Sequence, residues 1–251
     1  MNSPVIDRIT SLEAANESIS WISGYETEAE VKDAAQEIVS YFGLHAFVFG
    51  ALSRAGTHEH HRYLVGCAPE WCYTYTQNKW YAIDPYIEYA LQNTAPSLAS
   101  DIEIGSPGQQ RLLDAAAEFG YRSGVVVPAH SSSSAWVGIL YITMGDGAEY
   151  ERELYRKHRS LMRAFALELL EWWDVRLRET STAELAIDEL DLDLLAKAHE
   201  GATADEAAVE LGVTISRVNA RYEKIYRKFD VRNKRDAVAK AVALGLIRVT
   251  S

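Results

Sequence analysis

Cysteine is nearly absent from this chain of 251 residues, occurring only as Cys67 and Cys72. Two cysteines cannot build the disulfide framework of a small secreted domain, and such usage fits a reducing cytoplasm. No apolar run approaches the roughly 18 residues of a membrane helix, so no membrane partner is expected. The stretch MNSPVIDRIT has no basic region followed by an apolar segment, so no secretory signal is expected either. The chain also lacks a Gly-rich phosphate loop and a G-x-S-x-G elbow, and neither cysteine has a histidine near it in sequence. The cluster His58-Glu59-His60-His61 has no further ligands at metal spacing and reads as a solvated polar segment. These absences point away from an enzyme and from a cofactor or metal protein.

What is present is 48% hydrophobic residues, enough for one large or two smaller domains, and a lopsided charge. The net charge is −11. From Gly201 to Ser251 there are ten Lys/Arg and six Asp/Glu, a balance of +4, which leaves the remainder at −15. Val213 to Lys240 alone carries nine basic and three acidic residues, a balance of +6. Such asymmetry predicts a polyanion-binding module attached to an acidic partner domain.

Along the first part, Thr27 to Glu30 forms a capping-box pattern ahead of Val31, Ala35, Ile38, Val39 and Phe42 at helical spacing, and Gly43 stops that helix. Strands are expected at His45–Leu52, His61–Gly66, Ser123–His130 and Ala135–Thr143. A turn is expected at Ser131–Ser134, short helices within Pro69–Tyr89, and a helix over Gln109–Phe119. A long helix with a broad apolar stripe spans Glu149–Arg178, closing over the sheet and leaving apolar surface for self-association. Residues 179–186 read as a linker. The order predicts an α+β domain with an antiparallel sheet, followed by an all-α domain.

Ala202 to Phe229 meets the steric demands of a helix-turn-helix. Thr203 caps a first helix carrying Ala207, Ala208 and Leu211, and Gly212 makes the turn. Thr214 or Ser216 starts a second helix with Val218, Tyr222, Ile225 and Phe229 as one buried stripe. Small Ala208 lets the helices approach, and Val218 plugs the angle between them. Away from the stripe lie Thr214, Ser216, Arg217, Asn219, Ala220, Glu223, Lys224 and Arg227; the short polar residues suit base edges and the cations suit phosphates.

Leu211-Gly212-Val213, Lys228-Phe229-Asp230-Val231, Arg232-Asn233-Lys234 and Ala237…Ala241…Leu244-Gly245-Leu246-Ile247 resemble the DNA-binding domain of the LuxR family of bacterial transcription regulators. The resemblance implies four helices with the third in the major groove. Two departures stand out. Ile187-Asp188-x-x-Asp191 replaces the usual Leu-Thr-x-x-Glu, and Asn219 and Glu223 stand where some members place base-contacting arginines.

Upstream, Pro69-x-Trp71-x-x-x-Tyr75, then Asp84-Pro85, and Phe119-Gly120-Tyr121-Arg122-Ser123-Gly124 with Pro128, resemble the autoinducer-binding domain of the quorum-sensing branch. That resemblance implies an α-β-α sandwich enclosing an N-acyl-homoserine lactone. Trp71 would donate to the lactone carbonyl, Asp84 accept the amide N–H, and the Tyr75 hydroxyl meet the acyl carbonyl. Trp80 belongs to the same aromatic run. Ala99 stands where the family pattern has a tryptophan that packs on the lactone. On the last strand, aligning on Gly138 puts Tyr141 at a position that often bonds the ligand carbonyl, whereas an ungapped count puts Leu140 there; the serine turn can absorb the extra residue, which favours Tyr141. These changes leave open an unusual acyl or aryl signal, a non-lactone molecule, a protein partner, or a ligand-independent regulator. The expected organisation is a ligand-binding and dimerisation domain at 1–178 and a DNA-binding domain at 187–251. The resemblance further implies a homodimer on an inverted-repeat operator in double-stranded DNA, with RNA polymerase as a candidate partner.

Overall fold

A computed structural model of the chain describes residues 11–53, 61–131, 136–143 and 148–247. Residues 58–60 of the histidine cluster and 132–134 of the serine turn lie outside the described residues. The chain divides into two compact units, the first formed mainly by residues up to Trp172 and the second mainly by Trp173 onward.

The first unit begins with α1 (Leu12–Ser20) and α2 (Glu28–Tyr41). The sequence pattern alone had not suggested α1, a helix capped by Ser11 that buries only Ala15 and Ile19, a stripe too short to stand out. The capping box of α2 is formed as expected: the Thr27 hydroxyl accepts from the Glu30 N–H and the Glu30 carboxylate accepts from the Thr27 N–H. Gly43 follows the helix with φ 70°, a left-handed conformation that glycine adopts without strain. There follow β1 (Ala46–Ser53), β2 (His61–Gly66), α3 (Pro69–Gln77), α4 (Pro85–Gln92), β3 (Ser97–Leu98), α5 (Pro107–Glu118), β4 (Gly124–His130), β5 (Trp136–Thr143) and α6 (Ala148–Glu184).

The five strands form one sheet in the order β2-β1-β5-β4-β3. The pairs β1–β2, β3–β4 and β4–β5 are antiparallel, with Gly50 opposite Tyr63 and Val126 opposite Tyr141. Because side chains alternate along a strand, each face has its own set. Phe47 points toward α2, its ring and the Gln36 side chain occupying the space over Gly66. On the opposite face, Leu52, Val126 and Ile139 bury with Ala90 of α4 and with Ile102, and Tyr86, Ile87, Tyr89 and Tyr141 pack around them. Helices thus cover both faces of an antiparallel sheet, the expected α-β-α arrangement. The long helix α6 is tied to the first unit by the Trp172 indole N–H, which donates to the Tyr25 carbonyl at 2.9 Å, and by the Tyr150 hydroxyl, which donates to the Phe42 carbonyl at 3.0 Å.

Residues 179–186, read from sequence as a linker, are helical through Glu184. The helix formers Glu179, Ala183 and Glu184 and an Arg176–Glu179 ion pair extend α6, and the chain turns at Ala186, whose φ is 48°.

The second unit holds α7 (Glu189–His199), α8 (Ala204–Glu210), α9 (Ile215–Phe229) and α10 (Lys234–Ala243). Their shared core contains Leu194, Leu195, Ala207, Val218, Ile225, Phe229, Ala237 and Ala241. Fully burying a side chain such as Phe229 stabilises the unit by about 1.5–3 kcal/mol. The departure at Ile187-Asp188-x-x-Asp191 keeps the capping chemistry: the Asp188 carboxylate accepts from the Asp191 N–H at 3.0 Å, and the Asp191 carboxylate accepts from the Asp188 N–H at 3.4 Å.

Candidate ligand site and nucleic-acid face

Pro69 at the first turn of α3 removes an N–H that a helix start leaves unpaired anyway, and helical spacing then places Trp71 and Tyr75 on one face. The chain leaves α3 through Lys79, whose φ of 52° turns it into the short 3-10 turn Trp80–Ala82. This reversal brings Trp80 back over α3. The Trp71 ring lies 5.5 Å from Trp80, 5.8 Å from Tyr75, 5.5 Å from Phe119 and 5.9 Å from Tyr121. Trp71 is only 8% exposed at the centre of this group.

Asp84 stands against that aromatic group and caps α4, with Pro85 fixing the helix start. Its Oδ1 accepts from the Tyr86 N–H at 2.8 Å and its Oδ2 accepts from the Tyr75 hydroxyl at 2.7 Å. Asp84 keeps some accessible surface, yet protein atoms crowd it so closely that loss of water pushes its carboxyl above the usual carboxylate range. The Tyr75 hydroxyl and the backbone N–H groups of Tyr86 and Ile87 oppose that shift without cancelling it. The Tyr75 phenol is pushed up by its own burial first, then by the Asp84 charge and their hydrogen bond. A carboxylate offers about four lone-pair positions, so Asp84 retains acceptor capacity beyond these partners. The Tyr75 proton, by contrast, is committed to Asp84.

Of the remaining residues expected at a ligand site, Tyr141 stacks on Tyr86 with ring centroids 5.1 Å apart, and its hydroxyl donates to the Ser123 carbonyl at 3.2 Å. Gly124 makes this possible, because a Cβ there would collide with the Tyr141 ring. Tyr141 packs around the α4-side cluster, while strand alternation turns Leu140 to the other face. Ala99 is buried in the turn Ala99–Asp101 and packs beside β4, the strand between β3 and Tyr141's strand. Trp71, Tyr75, Trp80 and Asp84 therefore form one linked group. Tyr141 joins it through Tyr86, and Ala99 stands further along the sheet. Sequence reasoning did not single out Phe119, Tyr121 or Tyr86 as part of this wall. The first two were present in the Phe119–Gly124 motif, whereas Tyr86 is visible only once α4 is placed against β5.

On the second unit, Thr214, Ser216, Arg217, Asn219, Ala220, Glu223, Lys224 and Arg227 are all exposed on α9 or at its cap. Gly212 turns the chain with φ 64°, and the Thr214 hydroxyl accepts from the Arg217 N–H at 3.2 Å, starting α9. The stripe Val218, Tyr222, Ile225 and Phe229 is buried, and the Tyr222 hydroxyl donates to the Leu194 carbonyl at 3.0 Å. Two other cations of α9 face inward. Arg221 reaches Asp188 at 2.5 Å and Asp191 at 3.0 Å, and Lys228 reaches Asp191 at 2.9 Å. Asp191 is 0% exposed, so these pairs anchor α9 to α7. The cations Arg217, Lys224 and Arg227 point outward from the same helix and are exposed.

An α-β-α unit with a polar pair set among aromatic rings, followed in the chain by a helix-turn-helix unit, is the organisation of a ligand-sensing transcription regulator. Comparison with known proteins agrees. The model of the autoinducer binding domain matches residues 27–171. The transcriptional activator protein AhyR of Aeromonas hydrophila is 30% identical over 72% of this chain and 71% of its own. The transcriptional activator protein TraR of Rhizobium radiobacter is 24% identical over 96% of this chain and 98% of its own. Among solved structures, Escherichia coli SdiA superposes with a TM-score of 0.70 at 18% identity, covering 95% of this chain and 99% of that one. A structure of SdiA in complex with octanoyl-rac-glycerol gives the same TM-score at 19% identity, covering 98% and 100%. The chain belongs to the autoinducer-binding-domain family, within the LuxR-type quorum-sensing transcription regulators. Its relatives are transcription regulators. No described helix is long and apolar enough to cross a membrane.

Proposed function

We propose that residues 1–178 bind an N-acyl-homoserine lactone or a related acyl or aryl signal, and that residues 187–251 bind an inverted-repeat operator as part of a homodimer. The observation that carries this reading is the 2.7 Å Tyr75–Asp84 pair set against the rings of Trp71 and Trp80. An amide ligand entering such surroundings loses its water contacts, and each polar group left unpaired costs about 1–3 kcal/mol. Asp84 accepts the ligand's amide N–H, Trp71 donates its indole N–H to the lactone carbonyl, and Trp80 packs on the apolar part. When the amide N–H reaches Asp84, the Tyr75 proton is released toward the acyl carbonyl. The protein acts by binding, in the cytoplasm, and not by catalysis. Leu167, 41% exposed on the part of α6 that belongs to the first unit, supports a second copy along that helix. The two copies then set two α9 helices in successive major grooves, where RNA polymerase is a further partner.

The test is a set of thermal melts of the full-length protein against a panel of acyl-homoserine lactones. Ligand at about 100 times Kd adds roughly 2.7 kcal/mol of stability. No shift with any member overturns the lactone reading. A second reading, a non-lactone acyl ligand such as an acyl glycerol, is favoured by Ala99 at the position where the family resemblance places a tryptophan. A shift with 1-octanoyl-glycerol and none with the lactones selects it.

A further inference from the structure

Cys67 and Cys72 are half-buried, and neither is in a disulfide. Their sulfurs lie 3.2 Å apart, close enough for one thiol to donate to the other. The two cysteines are held from opposite sides. Cys67 follows Gly66, the last residue of β2, where the Phe47 ring leaves no room for a side chain. Cys72 lies in α3, immediately after Trp71, and its N–H donates to the Ala68 carbonyl at 3.2 Å. Ala68, between them, donates its own N–H to the Tyr121 hydroxyl at 2.9 Å. The same Tyr121 ring meets Trp71 edge-on. The sulfur pair, the start of α3 and two rings of the ligand wall therefore form one connected piece of structure.

We propose that Cys67 and Cys72 are a redox site, a dithiol that closes to an intramolecular disulfide and thereby moves the Trp71 wall. The oxidant is a hydroperoxide. One thiol attacks the peroxide oxygen, giving a sulfenic acid and one water. The second thiol attacks the sulfenic sulfur, forming the S–S bond and releasing a second water. Two thiols lose two electrons and two protons in all, and hydrogen peroxide is reduced to water. A disulfide is about 2.05 Å long, so closure draws the sulfurs together by roughly 1 Å. β2 is anchored in the sheet, so the first turn of α3 takes up most of that movement, and Trp71 shares this turn. Burial, followed by the bond to Cys72, pushes the Cys67 thiol up and disfavours its thiolate, so Cys72 makes the first attack on the peroxide and Cys67 resolves the sulfenic acid. Disulfides of this kind in reducing compartments are transient and regulatory. The inference does not rest on the identity of the ligand.

The test uses reduced full-length protein and a small excess of hydrogen peroxide. Intact mass is expected to fall by about 2 Da per chain with loss of both titratable thiols, at a rate independent of protein concentration. Peptide mapping places the bridge between Cys67 and Cys72. Tryptophan emission is expected to drop on oxidation and return with dithiothreitol. The drop is absent in Cys67→Ser and Cys72→Ser, and lost in Trp71→Phe, in which the bridge still forms. Retention of both thiols, mass gain to sulfinic acid, or disulfide-linked dimers in the wild-type protein overturns the site, whatever the variants do. A bridge that forms with no change in Trp71 emission overturns the coupling.

Discussion

Replacing Asp84 by Asn separates the helix cap that this residue forms from the ligand-acceptor role proposed for it. Asn caps helices about as well as Asp, so the bond from the Tyr86 N–H, now 2.8 Å to Oδ1, survives and α4 keeps its start. At the other oxygen an NH2 replaces an acceptor and turns toward Tyr75, which now accepts instead of donating. What is lost is the charge and the acceptor proposed to meet the ligand's amide. A hydrogen bond to a charged group contributes about 1.5–3 kcal/mol, so Kd for an acyl-homoserine lactone should rise by about ten- to a hundredfold. The folded protein should not suffer, because burial raises the carboxyl's proton affinity and the charge is a cost to the unliganded state. Calorimetric titration with the lactone giving the largest thermal shift measures the first effect, and urea unfolding without ligand measures the second. Unchanged affinity in a folded Asp84→Asn variant would refute the anchor role and leave Asp84 a cap. Asp84→Ala should then lose the cap, about 1 kcal/mol, and leave the Tyr75 hydroxyl unpaired, about 1–3 kcal/mol, with affinity unchanged.

The same carboxyl sets a pH dependence. Its folded-state pKa is raised above the ordinary value of 3.8, so the folded state holds the proton more tightly than the unfolded chain. This contribution to stability is fully present below about 3.8 and lost as pH rises through the raised value. Urea midpoints of wild type and Asp84→Asn should diverge over that window, the variant losing less, and parallel curves would exclude the assignment. In the second unit, Asp191→Ala leaves Arg221 and Lys228 without their buried partner and should cost about 3 kcal/mol, read from the urea unfolding of the full-length protein. Arg217→Ala or Lys224→Ala should weaken operator binding similarly for all sequences and reduce the salt slope by about one, whereas Asn219→Ala should relax discrimination between operators; gel shifts at two salt concentrations check both. Gly124→Ala should displace the Tyr141 ring from Tyr86 and weaken ligand binding, measured by the same thermal shifts, and an unaltered shift would mean that this ring does not shape the site.

Much of this molecule was legible in local pattern. The helix-turn-helix could be read because each requirement sits within a few residues of the next: a cap at Thr203, a turn at Gly212, a cap at Thr214 and a stripe from Val218 to Phe229. The strands of the first unit were legible for the same reason, and their bounds shift by a residue or so at the ends. Helix α1 was missed because it buries two small or medium side chains and carries little periodic signal. The helical state of residues 179–184 was not legible because small and polar residues without periodicity still propagate a helix already begun at Ala148.

Chain chemistry alone determined an acidic unit followed by a basic helix-turn-helix, which are local or additive properties readable from spacing and charge. That the acidic unit is a sensor, with Trp71, Tyr75 and Asp84 as its candidates, came from the family resemblance of its motifs. Tertiary structure decided which groups meet. It put Tyr75 on Asp84, turned Tyr141 rather than Leu140 toward α4, drew Arg221 and Lys228 inward onto Asp191, and set two sulfurs 3.2 Å apart beside Trp71. Each of these depends on a chain reversal, a strand register or a helix docking, and such long-range geometry follows from packing the whole core rather than from any one stretch of residues.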